Sequence, residues 1–302
     1  MVDSLKGLFE STFDYAGLFP PARLDMAKAL ENYIHLIEGP NDWMVGRFVI
    51  SSDRLEELIK VIEQRPVTPE IPVTVIGQAS RNYDEWQTAL ESDAGAMTDL
   101  IETLGESVAL EAYEIRVPSH DLVDACTRDL KAFNEIDVFV EIPLTDGMDD
   151  SLAIIATTEW LGAKARTGGL DPTAIPSLDA LAGFLYSTAT LDIPFKLTAG
   201  LHHPLPYYDE SIGAQMHGFL NALAGSAMAY THDFSRKEIA EILRDDDTRH
   251  WSFDDGGMSW KGHKISLDDI EDVRNIFVGI GTCSIDEPLE GLAKMGLLGV
   301  AR

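Results

Sequence analysis

Cysteine is nearly absent: Cys126 and Cys283 are the two in 302 residues. Their spacing suits neither a disulfide framework nor a zinc motif, which predicts a reduced, cytosolic protein with two buried thiols. Basic residues are also few. Lys and Arg number 23 against 51 Asp and Glu, a formal net charge of −28. Such a surface repels nucleic acid and anionic membrane, and excludes both as partners. No apolar run approaches the roughly 18–20 residues of a membrane span. The opening "MVDSLKGLFESTFDYAG" has neither the basic nor the long apolar region of a signal peptide. No glycine-rich dinucleotide fingerprint follows the first strand, and no linker or low-complexity segment interrupts residues 1–302, so one domain is expected. The acidity fits a high-salt habitat, where carboxylates keep a surface hydrated, and equally an ordinary acidic protein.

What is present is alternation. Strand-like runs at 13–19, 45–51, 72–78, 112–118, 138–144, 162–169, 194–200 and 276–283 are separated by helical periodicity, as in 24–38, 53–64, 119–134, 149–161 and 177–189. Asp53, Ser119, Ser177 and Ser284 stand at helix starts. Eight β-α units in about 300 residues predict a (β/α)8 TIM barrel of the α/β class. A long excursion, 204–275, separates the seventh and eighth strands. It holds helical runs at 216–230 and 235–245 and a hairpin at 251–262. Long insertions of this kind form lids or oligomer contacts.

Alternation along each strand sorts inside from outside. Phe195 and Leu197 must face the outer helices, so Lys196 and Thr198 face the barrel axis. By the same rule Glu114 and Arg116, Glu141, Lys164 and Arg166, Gln78 and Asp14 face inward, with Arg47 ambiguous. Buried unpaired charge costs several kcal/mol per ion, so such a cluster must be paired or serve a ligand. Barrel enzymes keep their chemistry at the C-terminal ends of the strands, and a cationic mouth there suits a small anionic metabolite, a phosphate or a carboxylate. His202 and His203 follow the seventh strand at that end. As neighbours on an extended chain they point apart, and no third ligand accompanies them, so no metal is expected; the open roles are a substrate contact, acid–base chemistry or a structural loop.

In order along most of the chain, "DYAGLFPPARLDMAKALENY", "VTVIGQA", "YEIRV", "VFVEIPLT", "GAKARTGG", "FKLTAGL" and "GIGTCS" resemble the class I aldolases of the deoxyribose-phosphate aldolase type. The resemblance implies a Schiff base on Lys164, with Lys196 as the neighbouring cation. It implies phosphate-binding turns at Gly168, Gly169, Gly200 and Gly281, with Thr282 and Ser284 beside the last. Arg116 stands where that family has its catalytic Asp, and Arg166 where it has a small hydroxyl residue. An arginine cannot shuttle protons, which leaves that role to Glu141 or Glu114, and two guanidiniums can clamp a carboxylate. Repulsion between two ammonium groups on adjacent strands is expected to lower the Lys164 pKa toward about 8. The readings open at this point are a Schiff-base lyase without cofactor, a non-catalytic anion-binding barrel, and a metal-assisted hydrolase or isomerase using Glu114, Glu141 and a histidine. Any of these could act as a homo-oligomer.

Overall fold

A computed structural model describes residues 2–65 and 69–298. Its elements run in this order: α1 (Asp3–Phe9), β1 (Phe13–Tyr15), α2 (Met26–Ile37), β2 (Val45–Ser51), α3 (Leu55–Glu63), β3 (Ile71–Ile76), α4 (Tyr83–Leu104), β4 (Val108–Arg116), α5 (Val123–Asp129), β5 (Asp137–Glu141), α6 (Met148–Ile155), β6 (Leu161–Arg166), α7 (Leu178–Thr190) and β7 (Phe195–Thr198). The connection that follows carries β8 (Tyr207–Asp209), β9 (Ala214–Met216), α8 (Phe219–His232), α9 (Arg236–Arg244), β10 (Trp251–Asp254), β11 (Gly257–Trp260), β12 (His263–Ser266) and α10 (Leu267–Ile276). It ends in β13 (Phe277–Thr282) and α11 (Asp286–Lys294).

Eight parallel strands close into a barrel in the order β1-β13-β7-β6-β5-β4-β3-β2. The fold is therefore the (β/α)8 barrel that the alternation implies. Outward residues such as Tyr113, Ile115, Phe195 and Leu197 are fully buried against the helices, which is the packing that fixes the facing of their neighbours. Helix starts carry side-chain caps at Asp25, Asn82, Ser177, Ser235 and Ser266. Of the four expected caps Ser177 serves its helix, and the Ser284 hydroxyl accepts from the Glu287 N–H at 3.4 Å. Asp53 and Ser119 make no capping bond.

The long connection divides. The small β8–β9 hairpin reaches the C-terminal mouth, where Tyr207, Asp209, Ser211, Ile212 and Met216 face its cavity. Helices α8 and α9 pack on α7 in the outer layer. The aromatic hairpin β10–β11, extended to three strands by β12, rests on α1, so it does not cover the mouth. That sheet is pinned by Asp245, which accepts from Trp260 Nε1 at 2.7 Å and pairs with His250 and Lys261. Among the described residues no helix is long and apolar enough to cross a membrane.

Candidate active site

Parallel pairing aligns Arg116 with Glu141, Glu141 with Lys164, and Lys164 with Lys196 in one row across four strands. Glu114 lies two residues below Arg116 on the same inward face. The row brings opposite charges into contact. Lys164 Nζ stands 2.6 Å from Glu114 and 3.0 Å from Glu141. Lys196 Nζ is 2.5 Å from the other Glu114 oxygen and also binds Asp14. A continuous chain of five charges results, Asp14–Lys196–Glu114–Lys164–Glu141, and all five side chains are buried.

Glycines make room for it. A Cβ at Gly46 would sit 2.3 Å from the Asp14 carboxylate, and one at Gly279 would crowd the Thr12 carbonyl at 3.2 Å. The free oxygen of Asp14 accepts from the Arg47 N–H at 2.7 Å. Arg47 itself turns to Glu111 and Asp137 at the opposite end of the barrel.

The ion chain reverses the expected titration of Lys164. Burial favours the neutral amine, but the Glu114 and Glu141 carboxylates outweigh it and raise the lysine above its ordinary range. Lys196 is likewise raised: Asp14 and Glu114 overcome its burial. Glu114, despite the cost of burial, is held down to about 2 by the two lysines. The expected depression of Lys164 toward 8 fails because a carboxylate stands between the two ammonium groups and screens them from each other.

A cavity of about 760 Å³ opens above this chain. Lys164, Glu114 and Glu141 face it, whereas Lys196 and Asp14 lie beneath its floor. Arg116 and Arg166 line it too, but as the last residues of β4 and β6 they stand exposed at the rim and are not buried cations. Neither is salt-bridged among the described residues. Gly169, Gly200, Gly281, His202 and His203 also line the wall.

Gly168, Thr282 and Ser284 do not line the cavity. Gly168 lies against the Gly200 backbone, with 3.0 Å between a Cβ built on it and Gly200 Cα. Thr282 donates to the Ser284 carbonyl at 2.9 Å, and the Ser284 hydroxyl is taken by the helix start. Gln78 faces outward: β3 ends at Ile76, and the amide donates to Ser92 and Asp93 on α4. Nor is the mouth broadly cationic, since Glu114, Glu141, Asp209 and Glu287 line it against Arg116, Lys164 and Arg166.

The two histidines part as expected. His203 packs edge-on against Tyr207, with ring centroids 4.3 Å apart. His202 Nδ1 lies 2.8 Å from Glu287. Cys283, expected to be buried, is half-exposed at the mouth, and its Sγ lies with the His202 and Glu287 donor atoms, all within 4.8 Å of one another. Burial and Glu287 push that thiol up. No local pattern points to a partner for His202, because Glu287 lies 85 residues away and meets it only through barrel closure. Cys126 is buried in the core.

Compared with protein-family models, with curated proteins and with solved structures, the chain matches none.

Proposed function

We propose that the protein is a lysine-dependent carbon–carbon lyase of the class I aldolase kind, acting on a small carbonyl compound that carries a carboxylate or phosphate. One observation carries the reading: an inward lysine near the end of β6 faces a large cavity while touching two carboxylates. Lys164 starts as an ammonium ion. Glu141 accepts its proton as the carbonyl enters, and the free amine adds to the carbonyl carbon. The carbonyl oxygen then leaves as water, carrying that proton and a second one that the nitrogen gives up as the C=N bond forms. The iminium left on Lys164 takes up the electron pair of the breaking bond. Glu141 suits the proton transfer because it pairs with one lysine, whereas Glu114 is held strongly ionised by two. Lys196 is a positioning residue: it fixes Glu114 from below the floor. Arg116 and Arg166 at the rim take the substrate's anionic group.

The test is incubation with pyruvate, other small oxo acids and sugar phosphates in the presence of borohydride, followed by peptide mass spectrometry. A reduced adduct on Lys164, lost in Lys164→Ala, is the expected result. The second reading, a barrel that binds a metabolite without chemistry, draws on the same carboxylates that keep Lys164 charged. Saturable binding with no trapped adduct would favour it.

A further inference from the structure

The geometry points to a metal site on the cavity wall: we propose that His202, Cys283 and Glu287 hold one divalent cation of the zinc type. The three offer one nitrogen, one sulfur and one oxygen, with donor atoms all within 4.8 Å of one another. Zinc bonds of about 2.0–2.3 Å in a tetrahedron place donors about 3.3–3.8 Å apart, so a small rearrangement of the side chains, in which the 2.8 Å His202–Glu287 contact opens slightly, fits the set around an ion. A thiolate with an imidazole and a carboxylate suits zinc or cobalt and does not suit magnesium or calcium, which prefer oxygen throughout.

The scaffold is compact. His202 follows β7 and Cys283 follows β13, and these strands are neighbours in the barrel. Glu287 stands in the first turn of α11, four residues after Cys283, so one turn of chain brings both toward His202. His203 is turned onto Tyr207, which leaves His202 as the histidine available to the set. Three protein ligands leave a coordination position free, the pattern of catalytic rather than structural zinc.

All three residues line the cavity that Lys164 faces. β4, which ends in Arg116, stands four strands from β13 around the eight-stranded ring and is therefore opposite it. A bound ion would thus give the cavity a second electrophilic pole across from the guanidinium, suited to an oxygen-bearing end of the ligand. The thiol loses its proton on binding, so ion, thiolate and Glu287 carboxylate together are neutral. The site stands whether or not Lys164 forms an imine, because the lysine is not a ligand.

The full chain, stripped with a chelator and titrated with cobalt(II), gives the test. The expected result is one equivalent bound, with the intense visible bands of tetrahedral cobalt and a thiolate-to-cobalt charge-transfer band in the near ultraviolet. Zinc should displace both. The charge-transfer band should vanish in Cys283→Ser and persist in Cys126→Ala. His202→Ala, checked for folding by circular dichroism, should weaken binding at least tenfold. A wild-type chain without the charge-transfer band, or a band that survives Cys283→Ser, overturns the proposal and leaves His202 and Glu287 as a simple hydrogen-bonded pair. Borohydride trapping on the metal-free chain reports on Lys164 separately.

Discussion

Two buried carboxylates, Asp93 outside the sheet and Glu114 inside the barrel, meet burial in opposite ways. Asp93, on α4, accepts from Ser52 Oγ at 2.5 Å, Tyr113 Oη at 2.6 Å and the Gln78 N–H at 3.0 Å. Its partners are neutral, and a Cβ at Gly77 would collide with both Asp93 and Tyr113. Every donor is local to the helix–sheet interface, and the knot is closed. Glu114 has two lysines instead, and one of them faces a cavity. Neutral donors satisfy a carboxylate and end there. Paired cations satisfy it while leaving one lysine at the edge of the network, where it faces the cavity. The first arrangement closes on itself within the fold, and the second leaves an ionisable group within reach of a ligand.

The sharpest way to break this contrast is Lys196→Met. It leaves Asp14 and Glu114 buried without their cation, which should cost about 3–5 kcal/mol in urea denaturation. A loss below about 1 kcal/mol would mean that the ion chain is not formed as described.

Acid should test the Glu114 arrangement next. Glu114 has its folded pKa depressed to about 2 from 4.5. Its stabilisation is complete above the unfolded value and disappears as pH falls from 4.5 toward 2, on the order of 3 kcal/mol in all. Denaturation midpoints of Glu114→Gln should therefore fall less steeply across that window than those of the parent.

Asp93→Asn should cost about 1–3 kcal/mol, because the one remaining oxygen can accept either from Ser52 or from Tyr113 and the Gln78 N–H, and the new amide donor faces the others. It should leave borohydride trapping at Lys164 unchanged. A change in trapping would show that the outer knot is coupled to the site.

At the rim, Arg116→Ala and Arg166→Ala should each weaken binding of a small dicarboxylate about tenfold, roughly 1.4 kcal/mol by calorimetry. Neither should lower the melting temperature by more than about a degree, since both side chains are exposed. The smallest effect is global. Raising salt from about 0.1 to 1 M shortens the screening length from about 10 to 3 Å, which relieves repulsion across a chain of net charge −28 and should raise the melting temperature by a few degrees. Indifference to salt would remove the high-salt reading of the composition.

The lysine layer was legible in the sequence because period-two alternation is unambiguous where one face is wholly apolar, as at Phe195 and Leu197. The barrel followed from the alternating strands and helices. Charge pairing was not legible. Alternation says which way Lys164 and Lys196 point, but not that Glu114 from β4 inserts between them, since that depends on the stagger between strands. Gln78 departs from the alternation because β3 stops two residues earlier, and beyond a strand end the two-residue rule no longer applies. Arg116 and Arg166 take the expected face but lie shallower than alternation implies, for they are the terminal residues of their strands. The meeting of His202, Cys283 and Glu287 depends on barrel closure, which no local pattern records.

The most direct test of the account is the pH dependence of imine trapping at Lys164, measured by quantitative peptide mass spectrometry with a fixed oxo acid. Because Glu114 and Glu141 raise the lysine above its ordinary range, the trapping rate should keep rising with pH beyond about 10, without a plateau near neutrality. Glu114→Gln, which removes one of the two carboxylates, should shift that rise to lower pH. A plateau near neutral pH would contradict the ion-paired state of Lys164, and absence of adduct at every pH would contradict the lysine's role as the nucleophile.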